Sequence, residues 1–221
     1  MNAASGRSAT ITLAATLIAA IVIGIAITVA AGRLESAAVR RAFAHYQQAS
    51  RSEDPALRVQ LTGPRTRAWI RQMVDGALRD DRAALVARAM FDAVTILELR
   101  AEFDRSELEA LTDEHALTHF LRHAGGLDGV VISGIDPGDD EARARLSAPS
   151  DRNLRSIVFL GEDGFFTRFE DRWAFEPYVF QSGILNRVST GLPEAERLRV
   201  LEQTAGAIPG FDPALWDGPA R

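Results

Sequence analysis

Cysteine and lysine are both absent from the 221 residues, and tyrosine occurs only twice. Without a thiol the chain has no disulfide staple, no thiolate metal site and no cysteine nucleophile. All 25 basic positions are therefore arginine, and 30 acidic residues set the net charge at -5. A nucleic-acid surface needs a basic excess, so this balance argues against a nucleic-acid partner. A Gly-rich phosphate loop, a GxSxG elbow and an HExxH pair are also missing, which removes the usual signatures of nucleotide binding, acyl transfer and zinc hydrolysis. No cofactor is implied. The length suits one ordinary domain with an appendage.

What the sequence has in plenty is an uncharged run. From Ser8 to Gly32, "SATITLAATLIAAIVIGIAITVAAG" carries no ionisable side chain. At about 1.5 Å per residue this run is long enough to cross a bilayer core. It exceeds the roughly 7 to 15 apolar residues of a signal peptide, so a retained anchor is the expectation, with residues 1–7 as a short tail. One face of that helix would read Thr12, Thr16, Ala20, Gly24, Thr28 and Gly32, a four-residue repeat of small side chains. Such a stripe lets two helices approach closely and self-associate, although small residues are also simply common in spanning helices. Arg33, Arg40 and Arg41 follow the run, which by positive-inside counting favours a cytoplasmic domain. The short tail before the run favours the opposite, and an inner-membrane protein with an extracytoplasmic domain is expected.

A domain over residues 33–177 is expected next, with helices over 34–124. Val39, Phe43 and Tyr46 recur at helical spacing, so the spanning helix continues or restarts there. A short helix is predicted near Pro55 and a longer one opens around Pro64, with Trp69, Ile70, Met73, Val74, Ala77 and Leu78 as one apolar stripe. The pattern Leu85, Val86, Ala89, Met90, Ala93, Val94, Leu97 predicts a single helix over several turns. In "TDEHALTHFLRHAGG", Thr112 reads as the cap and Gly125 as the stop. His115, His119 and His123 stand four residues apart, a spacing that can grip a metal. Leu117, Phe120 and Leu121 mark the buried side, however, so the imidazoles are expected to face solvent, and no metal site is expected.

After Gly129 the period changes to two. "VVISGID", a Pro137-Gly138 turn and "EARARLSA" form a hairpin, with Ala142, Ala144, Leu146 and Ala148 on one face. "LRSIVFL" reads as another strand and "GEDG" as the turn after it. Connections this short demand an antiparallel sheet, predicted over 129–177. Helices first and a meander afterwards give an α+β plan, with the helices packed on a curved sheet. In "FAHYQQASRSED", "LELRAEF", the "VVISGID…EARARLSA" hairpin and "FEDRWAFEP" the chain resembles the nuclear transport factor 2-like, or SnoaL-like, cone domains. That resemblance implies a conical cavity between helices and sheet, used in different members for catalysis, for ligand binding or for no chemistry. With one amino-terminal membrane helix the layout resembles the periplasmic assembly subunit of type IV secretion systems and the membrane proteins associated with mycobacterial lipid importers, and that resemblance implies a non-catalytic role.

Two readings of "FFTRFEDRWAF" remain open. As one straight strand it puts Asp171 on the same face as Phe165, Phe169, Trp173 and Phe175, where desolvation would make it a general base. As a hairpin it puts "EDR" in a tight turn and Asp171 in solvent. Tyr46 and Tyr178 are the only phenols available to such a site, with His45 and Asp92 as neighbours to consider, and each also reads as a boundary residue or interface ring. Residues 178–221 are expected to form a closing helix after Pro193 and an apolar tail with Phe211, Leu215 and Trp216, either docked on the domain or offered to a partner. The reading as a whole is a membrane-anchored, non-catalytic module that binds a protein partner or itself. The alternative is small-ligand binding or isomerase-like chemistry in a cone cavity.

Overall fold

The computed structural model describes residues 5–52, 55–123, 127, 129–147 and 163–220; the side chains of residues 5–25, 123, 163, 184, 185, 187 and 188 lie outside that description. The fold is α+β. A first helix, α1 (Ser5–Arg51), runs without a break through the uncharged stretch and on into the domain. It is followed by α2 (Pro55–Leu61), α3 (Pro64–Arg79), α4 (Arg82–Ala87), α5 (Met90–Glu102), α6 (Arg105–Ala110) and α7 (Asp113–His123). Then come β1 (Val131–Pro137), β2 (Glu141–Ser147), β3 (Asp163–Phe169) and β4 (Arg172–Phe175), and finally α8 (Pro177–Ser189), α9 (Glu194–Ala205) and a 3-10 turn (Pro213–Trp216). Among the described residues no helix is long and apolar enough to cross a membrane, so the expected transmembrane span is not found there. Most of the uncharged run lies outside the described side chains.

The sheet is an antiparallel meander in the order β1-β2-β3-β4. In β2 the predicted alternation is present: Ala142, Ala144 and Leu146 are buried while Glu141, Arg143 and Arg145 are exposed. Phe166 of β3 lies opposite both Ala142 and Phe175, so small residues on β2 leave room for the rings of the next two strands. Val39, Phe43 and Tyr46 of α1 come down on this face. Phe43 meets Phe166 and Phe175 edge-on at 6.1 and 5.5 Å between centroids, and Tyr46 meets Phe175 at 4.9 Å. Each ring buried in this way contributes about 1.5–3 kcal/mol. A second apolar layer lies among the later helices, where Trp69 stacks on Tyr178 at 4.3 Å and on Phe91 at 5.5 Å, with Phe120 edge-on at 4.9 Å.

Three sequence expectations need correction. The stripe from Leu85 to Leu97 is two helices, because Arg88 and Ala89 are extended between α4 and α5. Arg197 of α9 donates to the Val86 carbonyl, the acceptor a continuous helix would have given to the Met90 N–H. The "GEDG" turn ends earlier than expected, since Asp163 and Gly164 are already paired with Arg145 and Ala144. Gly164 faces the Leu146 side chain so closely that a Cβ there would stand 3.0 Å from it, which a strand residue with a side chain could not accept without displacement. A boundary at residue 177/178 cuts into α8, whose Phe180 packs on Phe175 in the same core. The tail is docked as well, with Leu215 and Trp216 buried, and Pro193 precedes α9 as its cap. "LRSIVFL" and Gly125 lie outside the described residues.

Candidate functional site

The carboxylate expected among rings is not Asp171. Glu170 and Asp171 have φ of 50° and 60°, the signs of a two-residue type I′ hairpin turn, and both side chains are exposed. The turn folds "FFTRFEDRWAF" back on itself, pairing Phe169 with Arg172 and Arg168 with Trp173. Asp171 therefore lies outside the aromatic cluster, and the straight-strand reading is excluded. Five residues on, the chain does bury a carboxylate that the sequence reading passed over.

Glu176, at the junction of β4 and α8, has no exposed surface. One carboxylate oxygen accepts from the Arg65 backbone N–H at 3.1 Å and the Thr167 hydroxyl at 2.8 Å. The other accepts from the Thr66 N–H and the Thr66 hydroxyl, both at 2.7 Å. The N–H groups are the unpaired donors at the start of α3, so Glu176 caps that helix from across the fold and meets the positive end of its dipole. Gly63 precedes the helix because a Cβ at that position would overlap the Glu176 carboxylate. Four donors fill both oxygens, so this carboxylate has no free lone-pair direction to offer a substrate. A local cue existed, since Glu-Pro after a strand with Gly-Pro at the start of a helix marks two chain reversals, but nothing local pairs them.

A second buried charge answers the first. Arg100 of α5, almost wholly buried, donates to the carbonyls of Gly76, Ala77 and Asp80 at the end of α3 and to those of Leu215 and Trp216 in the tail. Burial pulls its pKa below the usual guanidinium value, and the carbonyls replace the water it has lost.

The phenols fall in different places. Tyr46 sits in the sheet-facing core with its hydroxyl buried and making no well-aligned hydrogen bond, Arg58 and Thr62 being its polar neighbours. Burial pushes its pKa up. Tyr178 is half-buried on Trp69, whose Nε1–H donates to Asp92 at 2.9 Å. Burial also raises the pKa of Tyr178, with a further rise from Asp92. Of the candidates named from sequence, the fold brings together only Asp92 and Tyr178, one on each side of an indole. Tyr46 and Asp171 join neither each other nor that pair, and His45 is exposed. The space between sheet and α1 is filled by Phe43, Phe166, Phe175 and Phe180.

The histidine face also needs correction. His115 is exposed, but His119 is buried with its ring edge-on to Phe103 at 5.3 Å, and the side chain of His123 lies outside the described residues. The cause is tertiary, because the end of α5 and the tail close over the side of α7 that a lone helix would leave to water. His119 lines a hollow of about 140 Å³ with Glu98, Glu102, Ile208 and Pro209, well below the roughly 300–1,000 Å³ of ligand pockets. Among the described residues no three histidine or carboxylate groups converge to hold a metal ion.

Of the small-residue stripe, Thr12, Thr16, Ala20 and Gly24 lie outside the described side chains. Thr28 is exposed, and a Cβ at Gly32 would meet open space. The lower part of α1 is instead distinguished by its bare apolar residues: Ile27, Val29 and Leu34 are 64%, 48% and 72% exposed. Where α1 enters the domain, Glu35 accepts hydrogen bonds from Trp173 Nε1 and Arg168 Nη2, each at 2.8 Å, and the Arg168 guanidinium lies 4.9 Å from the Trp173 ring centre.

No family model matches the chain, and no curated protein or solved structure matches it.

Proposed function

We propose that the chain is a single-pass membrane protein whose α+β domain serves protein assembly or recruitment at the membrane and has no chemistry of its own. The observation that carries this reading is the continuity of α1. A 25-residue uncharged stretch and the core residues Val39, Phe43 and Tyr46 belong to one helix, and its uncovered Ile27, Val29 and Leu34 call for an apolar neighbour. The occupation of both Glu176 oxygens and the filling of the sheet–helix interior by phenyl rings support a non-catalytic role over ligand or isomerase-like chemistry. The order of helices, then a four-stranded meander, supports the nuclear transport factor 2-like resemblance. The acidic excess of the domain favours the extracytoplasmic side, since the anionic cytoplasmic leaflet attracts basic juxtamembrane segments.

The small-residue face supplies the means of self-association. A transmembrane dimerisation reporter carrying wild type, Gly24→Leu and, on another face, Leu13→Ala tests it, with alkaline-carbonate extraction as the test of the anchor. Retention in the membrane pellet with a signal lost only in Gly24→Leu is expected. Release into the carbonate supernatant would remove the anchor, and equal reporter signals would remove helix-mediated assembly.

A further inference from the structure

α1 and β1 lie side by side and run in opposite directions. Gln47 Nε2 donates to the carbonyls of Leu127 and Val130 at 2.8 Å, just before β1, and Arg40 Nη1 donates to the Ile132 carbonyl at 2.8 Å. At the far end of the strand, Pro137 shares a groove with Val29, Gly32 and Arg33. Helix rise places Gly32 about 22 Å below Gln47, and the extent of β1 is about 20 Å. The two lengths agree only if the strand follows the helix axis closely. The β1–β2 turn is therefore level with the end of the uncharged run.

The β3–β4 turn is at the same end. Glu141 pairs with Thr167, and the Arg168 N–H donates to the Asp140 carbonyl at 2.7 Å, which sets the two turns side by side. Glu35 ties the β3–β4 hairpin to α1 through Arg168 and Trp173. Because α1 is unbroken, no hinge separates the run from this end of the sheet.

We infer that the turn end of the sheet, Pro137–Asp140 with Glu170–Asp171, is the surface the domain lays on the bilayer, and that it fits a lipid surface of low negative charge. This rests on the reading that residues 8–32 span the membrane. Asp136, Asp139, Asp140, Glu170 and Asp171 are all exposed at or beside these turns. Against them stand Arg33 and Arg143, both exposed and the second opposite Asp136 in the sheet, Arg168, which is held by Glu35, and Arg172, which lies 3.8 Å from Glu170, so the acids remain in excess. Carboxylates held at headgroup level are repelled by anionic lipid and accommodated by zwitterionic lipid.

The absence of native cysteine makes single-site labelling clean. Asp139→Cys, Asp171→Cys, Gln48→Cys, Val131→Cys and Ile18→Cys, each in the full chain, are labelled with a fluorophore. They are reconstituted in phosphatidylcholine vesicles containing either a headgroup nitroxide or an acyl-chain nitroxide. Headgroup quenching several-fold stronger at 139 and 171 than at 48 and 131 is expected, and so is a several-fold fall at the turns when part of the phosphatidylcholine is replaced by phosphatidylserine at low salt. Acyl-chain quenching at Ile18 with equal headgroup quenching at all four domain sites overturns the inference and leaves the anchor standing. No quenching at Ile18 overturns both. Turn quenching that rises with phosphatidylserine overturns the assigned lipid preference.

Discussion

Glu176 and Arg100 cap opposite ends of α3, a buried carboxylate at its amino end and a buried guanidinium at its carboxyl end. Each sign matches the helix dipole, and each charge meets backbone groups at the helix end, the Arg65 and Thr66 N–H groups for Glu176 and the Gly76, Ala77 and Asp80 carbonyls for Arg100. Neither residue is on α3. Glu176 joins the helix to the end of the sheet, and Arg100 joins it to α5 and the tail, so a 16-residue helix is locked to three other parts of the fold by two side chains.

Removing the first cap leaves buried N–H and hydroxyl groups unpaired. Glu176→Ala should destabilise the protein by about 3–5 kcal/mol. Glu176→Gln should cost less, because one acceptor oxygen remains, although its amide N–H₂ then faces donors. Gly63→Ala should also be strongly destabilising. Gly63 has φ of -74°, which any residue adopts, so the whole cost comes from overlap with the carboxylate. Denaturant midpoints of the singles and of Gly63→Ala/Glu176→Ala check this: the double should be much less destabilised than the sum. Strict additivity would show that Gly63 meets something other than Glu176.

Arg100→Met should free the tail. The carbonyls of Leu215 and Trp216 lose their donor, so Trp216 emission should shift to the red and protease cleavage after Arg199 or within residues 206–220 should accelerate. Arg100→Lys should not rescue, because a point ammonium cannot span carbonyls that a planar fork reaches. Wild-type proteolysis in Arg100→Met would refute the tether.

Glu35 gives the junction of α1 and the sheet a pH dependence. Hydrogen bonds from Arg168 and Trp173 hold its carboxyl below the ordinary range near 4.5. A folded pKa lower than the unfolded one means that the contact contributes above about 4.5 and is lost as pH falls through the lower, folded value. Trp173 fluorescence should change on acidification in that window, and the change should be absent in Glu35→Gln. A full transition in the variant would assign it to another group.

What the sequence disclosed follows the range of each interaction. The apolar stripe of α3 and the alternation in β2 depend on spacing within one element, and periodicity displays them, whereas the alternating rings around "EDR" fit a straight strand as well as a turn. The split of α4 from α5 depends on Arg197, more than a hundred residues from its acceptor at Val86. His119 is buried by the end of α5 and the tail rather than by its own helix, so a helical projection sends it to the wrong side. Glu176 was overlooked because its partners are at Arg65 and Thr66, and in the local sequence it is simply an acid before proline. Asp171 drew attention for the converse reason: its neighbours in sequence are rings, but the turn carries it away from them.

The Tyr46 hydroxyl offers the cleanest energetic test of the core. It is buried against the sheet, makes no well-aligned hydrogen bond although Arg58 and Thr62 are its polar neighbours, and Phe175 packs edge-on against its ring. A buried hydroxyl whose polar neighbours are poorly aligned recovers little of its lost hydration, so Tyr46→Phe should leave stability near pH 7 unchanged or raise it by about 1 kcal/mol. At high pH the two proteins should diverge. Burial raises the folded pKa above 10, the cation of Arg58 only partly opposing it. The unfolded phenol ionises near 10 while the folded one stays neutral, so wild-type stability is fully present below pH 10 and falls as pH rises towards the folded value. Tyr178, raised by burial as well, remains in both proteins and gives the common background. Urea midpoints at pH 8 and pH 11 for wild type and Tyr46→Phe should show the smaller alkaline loss in the variant. If Tyr46→Phe instead weakens the fold by more than about 1 kcal/mol at pH 8, the hydroxyl has a partner, and Arg58, stacked 5.8 Å from the ring centre, is the group to test next.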